Sequence, residues 1–552
     1  MSTSNLKTML KERIASGLKR KSVTCCSRWA KQYRVMGAPF PGLWSDKHHP
    51  WTNGMMDCEE EMTVGQKAAQ MAFTEVGLNR VFYALDMHGQ SCLYVLPAAT
   101  PDAADFSASR FDPALELSPH LNNMFSDVKN IKHKRAGNAN LFIRGSRSRR
   151  GLKSLPVSHI VFDEVEEMVQ DNVVLALERT AGQLEKSFYL LSTPSLPDKG
   201  INKFFKKSTQ DHFYFKCIHC GHQIELTYPD CLVITADDPD DRAIMDSYIV
   251  CPRPQCKGIL PHDQKEYYLK DGVWVPTNSN MMARGFYINQ LYSPTTKPYE
   301  IATFVLRAEK NPAYEQELYN SKLGLPHIVS SILLTDSHIE QCIGNHKSVE
   351  ELTSPNPITM GVDVGTKLHV EIDEWYSEPN NTSIDPNDNA VPVVRLETTV
   401  DDFHELDVLV AKYGVNYVVI DAQPEERMSK SFCERFCGMA RRCHYGNSVS
   451  GKLIIDKGDE IGMVTVDRTS WMDVALQRFH KTRIRLPYDL SEEYKGHVKT
   501  PVRVYRLDSD GNSVGKYDSR ENPDHFAHAR TYAEIAYTLL MAQAGVHTIN
   551  EV

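Results

Sequence analysis

Short apolar segments alternate with helical patterns between residues 60 and 210, and this alternation constrains the fold more than any other feature of the sequence. The strand-like segments lie at 91–96, 140–144, 158–162 and 187–191. Strands that alternate with helices form mostly parallel sheets with helices on the faces. We therefore predict an α/β domain whose strands end at one common edge.

The 552 residues provide material for roughly three or four domains. No apolar run approaches the roughly 18 residues that suggest a membrane span. The basic N-terminal segment lacks the apolar stretch of a secretory signal. We therefore expect an intracellular protein without membrane association, in which the 13 cysteines are free thiols or metal ligands rather than disulfides.

Composition shifts divide the chain into four regions. Residues 1–60 read as a helical N-terminal region, and residues 61–345 as the first α/β domain with a cysteine-rich insertion at 211–260. Residues 346–358 are polar, contain prolines and are interpreted as a linker. A second α/β unit is predicted over 359–552, with strands at 393–396 and 415–420 and a last helix at about 524–544.

Two adjacent carboxylates, Asp163 and Glu164, end the apolar strand that starts near residue 158. In phosphate-cleaving motors the first acid holds Mg²⁺ and the second polarises the attacking water. The carboxyl edge of a parallel sheet is also where ligands bind in open α/β folds. The simpler alternative is a strand that leaves the core and enters a polar turn.

A second buried strand ends in the hydroxyl residues Ser192 and Thr193, followed by Pro194. Hydroxyls at this position can sense the γ-phosphate and couple hydrolysis to movement. The alternative is a strand that simply ends at a proline.

The candidate phosphate loop is degenerate. A standard loop reads G-x-x-x-x-G-K-[ST], whereas residues 67–74 read KAAQMAFT. Ala72 replaces the second glycine and Phe73 occupies the lysine position. Lys67 and Gln70 could reach the phosphates from the other end of the loop, and Thr74 retains a hydroxyl for Mg²⁺.

A basic segment lies between residues 129 and 153, where nine of the residues are Lys or Arg although the whole chain carries a net charge of −9. Such a cluster can contact phosphates while acidic surface elsewhere sets the total charge. A solvated surface loop is the alternative. The arginines that could act on a nucleotide are Arg144, Arg147, Arg149 and Arg150.

Two cysteine pairs, Cys217 with Cys220 and Cys251 with Cys256, lie beside glycines or prolines that favour tight turns. Four thiolates at this spacing suit a structural Zn²⁺ in a zinc-ribbon-like insertion. Buried free cysteines are the alternative. A closed site with four ligands leaves no open position, so we expect no catalysis here.

Three acids are placed as a ribonuclease-H-like nuclease requires. Asp363 lies in the first strand of the second unit, Asp421 ends a later strand and Asp524 opens the last helix. Two divalent ions need several shared carboxylates to offset their charge, and they would activate water against a phosphodiester. Each acid alone is equally well a cap or turn residue. His528, one turn after Asp524, faces either this site or solvent.

The order of these motifs resembles the large subunits of tailed-phage DNA-packaging terminases of the lambda-type branch. Residues 65–75 (GQKAAQMAFTE) are similar to that branch's loop Q-K-G-A-Q-V-G-K-T-E. Residues 284–294 (RGFYINQLYSP) resemble its G-F-x-I-N-x-L-Y-S-P signature, and residues 320–326 its N-x-x-L-G-x-P segment. The resemblance extends over roughly residues 25–545, and the second signature is the most specific part.

This resemblance implies a P-loop-type ATPase followed by a ribonuclease-H-like nuclease. The implied activities are ATP-driven translocation of double-stranded DNA into a procapsid and metal-dependent cutting of concatemeric DNA. ATP, Mg²⁺ or Mn²⁺ and structural Zn²⁺ are the implied cofactors. The implied partners are a small terminase subunit, the portal and a homo-oligomeric ring with an expected five members, in the host cytoplasm rather than the mature virion. An early loop lysine, here Lys67, and an arginine finger such as Arg149 or Arg150 are also implied.

Two other functions remain open at the level of sequence. A helicase or repair ATPase with a fused nuclease would need a second motor-like domain, and residues 211–355 are too short and too cysteine-centred for one. A catalytically inactive DNA-binding packaging component is favoured by the degenerate loop. The Asp163–Glu164 pair and the three nuclease acids oppose that second alternative.

Overall fold

The computed structural model describes two units of the chain, each with its own sheet. The described residues are 23–125, 128–129, 133–136, 138–152, 155–178, 180, 182–329, 333–377, 386–446, 449–456, 462–507, 512–520, 522–545 and 550–551. The first unit is Met1–Ile328 with Arg506–Ser513, and the second is Val329–Tyr505 with Val514–Val552. The basic residues before position 22, Lys132 and Lys153 lie outside the described residues.

The strands of the first unit form one large mixed sheet and two smaller ones. They are β1 Val35–Met36, β2 Gly42–Leu43, β3 Met62–Lys67, β4 Cys92–Leu96, β5 Val128–Lys129, β6 His133–Ala136, β7 Ala139–Gly145, β8 His159–Asp163, β9 Ser187–Ser192, β10 Asp211–Lys216, β11 Gln223–Ile224, β12 Leu232–Val233, β13 Tyr248–Val250, β14 Ile259–Leu260, β15 Val273–Pro276 and β16 Arg284–Ile288.

The large sheet has the order β11-β10-β16-β3-β9-β8-β4-β7-β6-β5, and β15 pairs with β10. The strands from β16 to β7 are parallel. Strands β4 and β8 are buried along their whole length, as expected for central strands covered on both faces. The predicted α/β architecture with a parallel sheet is therefore confirmed.

Parallel strands β3, β9 and β8 lie side by side, so their carboxyl ends meet at one edge. Gln66 pairs in register with Ser192, and Leu191 with Asp163. The ends of these strands, which are far apart in sequence, are thereby brought to one place. This edge carries the candidate nucleotide site described below.

The α-helices of the first unit cover the faces and edges of the large sheet. The longest follows β3 directly and runs from Phe73 to His88. The others are Cys26–Tyr33, Thr52–Met56, Ala104–Phe106, Asp112–Leu117, Pro119–Met124, Arg149–Leu152, Gln170–Glu178, Gly200–Phe205, Lys265–Tyr268, Pro298–Ala308 and Pro312–Glu317.

The second unit contains a sheet of order β19-β18-β17-β20-β21-β23-β22-β26 and a separate hairpin, β24-β25. Strands β17, β18 and β19 are antiparallel, whereas β17, β20, β21 and β23 are parallel. The strands are β17 Ile358–Val364, β18 Leu368–Ser377, β19 Ala390–Val400, β20 Tyr417–Asp421, β21 Ala440–Tyr445, β22 Ile454–Asp456, β23 Met463–Val466, β24 Val502–Leu507, β25 Ser513–Asp518 and β26 Asn550–Glu551.

The longest helix of the second unit, His525–Gln543, packs closely on β17. A Cβ added at Gly361 would lie 2.0 Å from the Ala529 carbonyl oxygen, so a side chain at this strand position would force the helix away. The remaining α-helices are Asp336–Cys342, Pro386–Asn389, Phe403–Tyr413, Glu426–Arg435, Arg468–His480 and Glu492–Lys499.

Arg530, on the long helix of this unit, is completely buried and forms ion pairs with Glu371, Asp373 and Glu534. Arg478 also pairs with Glu534. A buried charge is tolerated only when it is paired and hydrogen-bonded. This network therefore joins the long helix to the antiparallel part of the sheet.

Several element bounds differ from the sequence interpretation. Strand β19 begins at Ala390 and passes through Pro392 rather than starting after it, because β19 is an edge strand where proline costs no ladder bond. The division between the units falls after Ile328, and helix Asp336–Cys342, before the expected linker, packs into the core of the second unit. None of the described helices is long and apolar enough to cross a membrane.

Candidate functional site

The candidate phosphate loop, between β3 and helix Phe73–His88, contains two residues other than glycine in left-handed conformations. Gln70 and Ala72 both adopt left-handed conformations, with φ of 60° and 65°. Left-handed residues other than glycine are strained and often occur at binding sites. The loop leads into a helix N-terminus, where backbone N–H groups and the helix dipole favour an anion.

Phe73 is a core residue in this loop. Its side chain is almost completely buried, and a Cβ at Gly65 would lie 2.7 Å from its Cδ2. The ring therefore packs against β3. The phenyl group at the usual lysine position fills the core and does not stand in for a phosphate ligand.

Lys67, at the end of β3, points toward the two neighbouring strand ends. Its Nζ donates to the Thr193 hydroxyl at 3.1 Å and lies 3.4 Å from Glu164 Oε1. The Lys67 side chain is almost fully buried. A buried ammonium shared by a carboxylate and a hydroxyl is placed to bind an anion at this edge.

Asp163 lies beneath the loop and accepts two hydrogen bonds. The Thr74 hydroxyl donates to Oδ1 at 3.4 Å and the Tyr94 hydroxyl to Oδ2 at 2.7 Å. Burial, together with the neighbouring charge of Glu164, raises the pKa of Asp163 to about 6. A hydroxyl beside a buried carboxylate is a donor set that suits Mg²⁺.

Glu164 follows Asp163 in a left-handed conformation, with φ of 64°. Its Oε2 accepts a hydrogen bond of 3.2 Å from the Ser192 hydroxyl. Ser192 Oγ in turn accepts from the Glu166 amide at 3.2 Å. The carboxylate is thus held at the sheet edge by a residue of the adjacent strand.

Two segments pack against the candidate phosphate loop. They are residues 284–294 and 320–326, which stood out in the sequence only because they resemble signatures of a known family. The Ala68 amide donates to the Ile288 carbonyl at 2.9 Å, and Gln290 Nε2 donates to the Ala69 carbonyl at 3.0 Å. Gly324 has a φ of +65°, and a Cβ there would lie 2.5 Å from the Ala68 amide nitrogen. These residues, to which we assigned no role from sequence, support the loop backbone.

A cavity of about 910 Å³ opens over this loop. Gln70, Thr74 and Glu164 line it together with Lys67. The Phe40 and His48 rings, which also line the cavity, stack at 3.8 Å. The cavity is also lined by residues that we did not identify from sequence, among them Arg34, Trp44 and Arg110.

The arginines proposed as fingers lie elsewhere in the described structure. Arg149 and Arg150 begin a short helix and are exposed, and neither lines the cavity. Arg147 is also exposed, and Arg144 is directed toward the Phe142 ring at 5.4 Å. Within one chain these four guanidinium groups do not reach the site, so a role for them remains a prediction about contacts between subunits.

The four predicted zinc ligands converge. Cys217 and Cys220 lie in the turn between β10 and β11, and Cys251 and Cys256 in the turn between β13 and β14. Their Sγ atoms all lie within 4.8 Å of one another. The donor set fits a tetrahedral thiolate site. Since β10 belongs to the large sheet, this region is anchored in the main fold.

Asp421 ends β20, and Asp363 is the second-last residue of the adjacent parallel strand β17, where Val362 is in register with Ile420. Burial raises the pKa of Asp421, and the charge of Asp363 contributes to this rise. The two carboxylates are therefore electrostatic neighbours. Both lie at the carboxyl edge of the parallel strands, as the sequence predicted.

Asp524 lies at the start of the long helix and faces His528 and Arg468. Its Oδ2 is 3.4 Å from His528 Nε2 and 3.6 Å from Arg468 Nη2. Burial alone would raise the pKa of Asp524, but these groups lower it. Among the described residues, Asp421 and Asp524 do not join Asp363 in a set whose ligand atoms all lie within 4.8 Å.

Histidines that we did not identify from sequence surround Asp363. His525 Nδ1 lies 2.8 Å from Asp363 Oδ2, and this hydrogen bond raises the pKa of His525. The ring of His369 stacks on His525 at 4.4 Å. Asp363, His369 and His525 have ligand atoms within 4.8 Å of one another. The only sequence signal was the position of His525 next to Asp524.

One family matches part of the chain by sequence. Residues 38–274 match the family described as "Phage terminase large subunit gpA, ATPase domain". The matched range contains the phosphate loop, both carboxylates of β8, the Ser192–Thr193 strand end and all four clustered cysteines. None of the curated proteins matches the chain.

The solved structures that match the chain include three phage terminase proteins. The match to the HK97 bacteriophage large terminase has 10% sequence identity and a TM-score of 0.49. It covers 92% of this chain and 97% of the HK97 chain. The large terminase of a thermophilic bacteriophage, in complex with ADP, has 11% identity, coverages of 89% and 98%, and a TM-score of 0.30. The Thermus phage P74-26 large terminase ATPase domain has 10% identity, coverages of 50% and 92%, and a TM-score of 0.31. With identities this low, the family match is the comparison that bears on function.

Proposed function

Because residues 38–274 match a phage terminase large-subunit ATPase domain, we propose that this chain is a terminase large subunit. It hydrolyses ATP to translocate double-stranded viral DNA into a procapsid, and it cuts concatemeric DNA with a metal-dependent nuclease. The observation that supports the motor function best is the position of Lys67, whose Nζ lies between Thr193 Oγ1 and Glu164 Oε1.

The cavity over the phosphate loop is the proposed ATP site, and its volume of about 910 Å³ is ample for a nucleotide. The triphosphate would bind Lys67, Gln70 and the amides at the start of helix Phe73–His88. The base would lie on the side of Phe40 and His48, where stacked rings offer an aromatic surface. This assigns the part of the N-terminal region that carries Phe40 and His48 to the adenine side of the site.

Thr74 and Asp163 are the proposed ligands of the Mg²⁺ that accompanies ATP, and Mg²⁺ neutralises charge that develops on the phosphate oxygens. Glu164 polarises the attacking water. The Ser192 hydroxyl holds Glu164 in place at 3.2 Å. Thr193 contacts Lys67, so a change at the γ-phosphate can be passed through Lys67 to the end of β9.

The second unit is proposed to be a ribonuclease-H-like nuclease. Its antiparallel strands β19, β18 and β17 are followed by parallel strands β20 and β21, with Asp363 on the central strand β17. Asp363, Asp421 and Asp524 would hold Mg²⁺ or Mn²⁺, which activates water in this type of chemistry. The adjacency of Asp363 and Asp421 supports this assignment.

The convergence of Cys217, Cys220, Cys251 and Cys256 supports a structural Zn²⁺ in the first unit. The proposed partners are double-stranded DNA, a small terminase subunit and the portal of the procapsid. A homo-oligomeric ring on the portal, with five subunits, is the proposed assembly. The proposed place of action is the host cytoplasm.

A DNA-stimulated ATPase assay tests the motor function. Lys67→Ala and Glu164→Gln are each expected to lower turnover by about 100-fold or more, because they remove charge stabilisation and water activation. Lys207→Ala and Glu178→Gln, on exposed residues of the same unit, are the matched controls. Unchanged turnover in both site variants would reject the motor assignment and favour an inactive packaging component.

Plasmid cleavage with Mg²⁺ or Mn²⁺ tests the nuclease separately. Asp363→Asn is expected to abolish cutting, while Asp401→Asn, on an exposed carboxylate of the same unit, should cut like the wild type. ATPase turnover of both variants should be normal. Persistent cutting by Asp363→Asn would place the active site elsewhere.

A further inference from the structure

Three side chains of the second unit form a cluster that neither proposed activity uses. His369 lies on β18, and Glu493 and His497 lie on helix Glu492–Lys499. Residues four apart in a helix share a face, so Glu493 and His497 present their side chains together. One ligand atom from each of the three side chains lies within 4.8 Å of the other two.

The spacing of this cluster is close to that of a metal site. His369 Nε2 lies 3.6 Å from Glu493 Oε1. Nitrogen and oxygen ligands bind Zn²⁺ at about 2.0–2.2 Å, which separates two ligands of a tetrahedral ion by about 3.4 Å. A small adjustment of the side chains would therefore let one ion bind all three.

Two ring nitrogens of the cluster lack partners. In the described part of the chain, Nδ1 of His369 and Nδ1 of His497 are buried without a hydrogen bond. The two residues are only 6% and 9% exposed. Leaving a buried polar atom unsatisfied is costly. Coordination through Nδ1 of His497 would satisfy that atom, whereas the His369 atom that faces Glu493 is Nε2.

The imidazole rings in this region lie close together. The His369 and His497 rings lie 5.4 Å apart, and both lie close to the ring of His525.

We propose that His369, Glu493 and His497 bind one transition-metal ion of the Zn²⁺ class. Two imidazoles and a carboxylate suit Zn²⁺, Co²⁺ or Ni²⁺, whereas Mg²⁺ prefers oxygen ligands alone. Three protein ligands leave a fourth position for water or for an oxygen of a bound phosphate. The site is distinct from the four cysteines, and it adjoins the proposed nuclease residue Asp363, because Asp363, His369 and His525 also have ligand atoms within 4.8 Å of one another.

Titration of the chelator-treated full-length protein with Co²⁺ tests this site. Ions bound by the cysteines produce sulfur-to-cobalt charge-transfer absorption, whereas ions bound by imidazole and carboxylate do not. We expect a class of bound Co²⁺ without that absorption. Glu493→Gln and His497→Asn should weaken this class by at least about tenfold, since even changes outside the ligand shell cost 10–100-fold.

Glu492→Gln is the matched control, because Glu492 is the exposed neighbour of Glu493 on the same helix. Glu493 is itself 54% exposed, so Glu493→Gln should fold normally even if His497→Asn does not. Equal Co²⁺ binding by Glu493→Gln and Glu492→Gln would overturn the proposal. Co²⁺ bound by the proposed nuclease carboxylates would also lack that absorption, so the titration is repeated with Asp363→Asn. The Co²⁺ that Asp363→Asn retains and Glu493→Gln loses belongs to the site proposed here, and the nuclease assignment can fail without affecting this result.

Discussion

The phenyl ring of Phe73 packs directly against the backbone of Gly65, at the position where a phosphate loop ordinarily carries its lysine. A Cβ at Gly65 would lie 2.7 Å from the ring. The glycine on β3 and the ring at the helix start are therefore complementary. Lys67, at the other end of the loop, supplies the cation. The loop is built around an apolar anchor, and Lys67 is the proposed charged group for the phosphates.

Restoring the usual lysine should harm the protein. Phe73→Lys places an ammonium in the core and removes a large buried ring, so we expect a loss of about 3–5 kcal/mol in stability and no gain in ATPase turnover. Phe73→Leu, which stays apolar, should cost less. Thermal unfolding and ATPase assays check both variants. A stable Phe73→Lys protein with faster turnover would contradict the role given to this ring.

Ser192 is expected to act by positioning Glu164. Ser192→Ala removes the 3.2 Å hydrogen bond to Oε2, so kcat for ATP should fall by about tenfold while KM changes little. Ser192→Thr keeps the hydroxyl and should restore much of the rate. Steady-state kinetics with saturating DNA measure this. A change in KM alone would indicate a role in nucleotide binding instead.

Loss of one thiolate should release the metal of the cysteine cluster. Cys256→Ser is expected to contain one fewer Zn²⁺ per chain than Cys437→Ser, whose cysteine is exposed and lies outside the cluster. It should also unfold at a lower temperature, because structural zinc contributes directly to folding. Elemental analysis and calorimetry measure the two effects. Equal zinc contents would show that the four thiols are free.

Gly361→Ala should destabilise the second unit. The added Cβ would meet the Ala529 carbonyl at 2.0 Å, and overpacking of this kind costs about 2–3 kcal/mol. Gly496→Ala is the control, since nothing lies within 4 Å of its Cβ and the helix should gain slightly in stability. ATPase turnover should be normal in both variants. Equal unfolding temperatures would contradict the close helix–strand packing.

Lys265 should make stability depend on pH. Its ammonium donates to the Ser293 carbonyl at 2.7 Å, and burial lowers its pKa to about 7. The unfolded chain binds the Lys265 proton more tightly than the folded chain does. The buried charge therefore lowers the stability by its full amount below pH 7, and this loss of stability decreases as the pH rises toward the ordinary pKa of lysine.

The stability of Lys265→Met relative to the wild type should therefore be greatest near pH 6. Its advantage should decrease toward pH 9, by at most about 1.4 kcal/mol per pH unit. Chemical unfolding across this pH range measures the difference. A relative stability that is independent of pH would show that Lys265 is not buried as an ammonium.

Local sequence patterns predicted much of the architecture. Continuous apolar runs such as the one before Asp163 identified central parallel strands, since a strand covered on both faces carries apolar residues at every position. The ends of the four strands predicted in the first unit were accurate to within one residue, whereas β19 extends three residues before and four residues beyond the predicted 393–396. The residue types at those ends, carboxylates and hydroxyls, indicated phosphate chemistry, and the cysteine spacing indicated the four-thiol cluster.

The sequence by itself determined which segments become strands and helices, because periodicity is a local property, and it determined which chemical groups stand at strand ends. Only the tertiary structure decided which of these groups meet. Lys67 reaches Thr193 because β3 and β9 are neighbours, and His369 reaches His497 because a helix packs beside β18. Strand order and register arise from the burial of many side chains together, so no single segment encodes them.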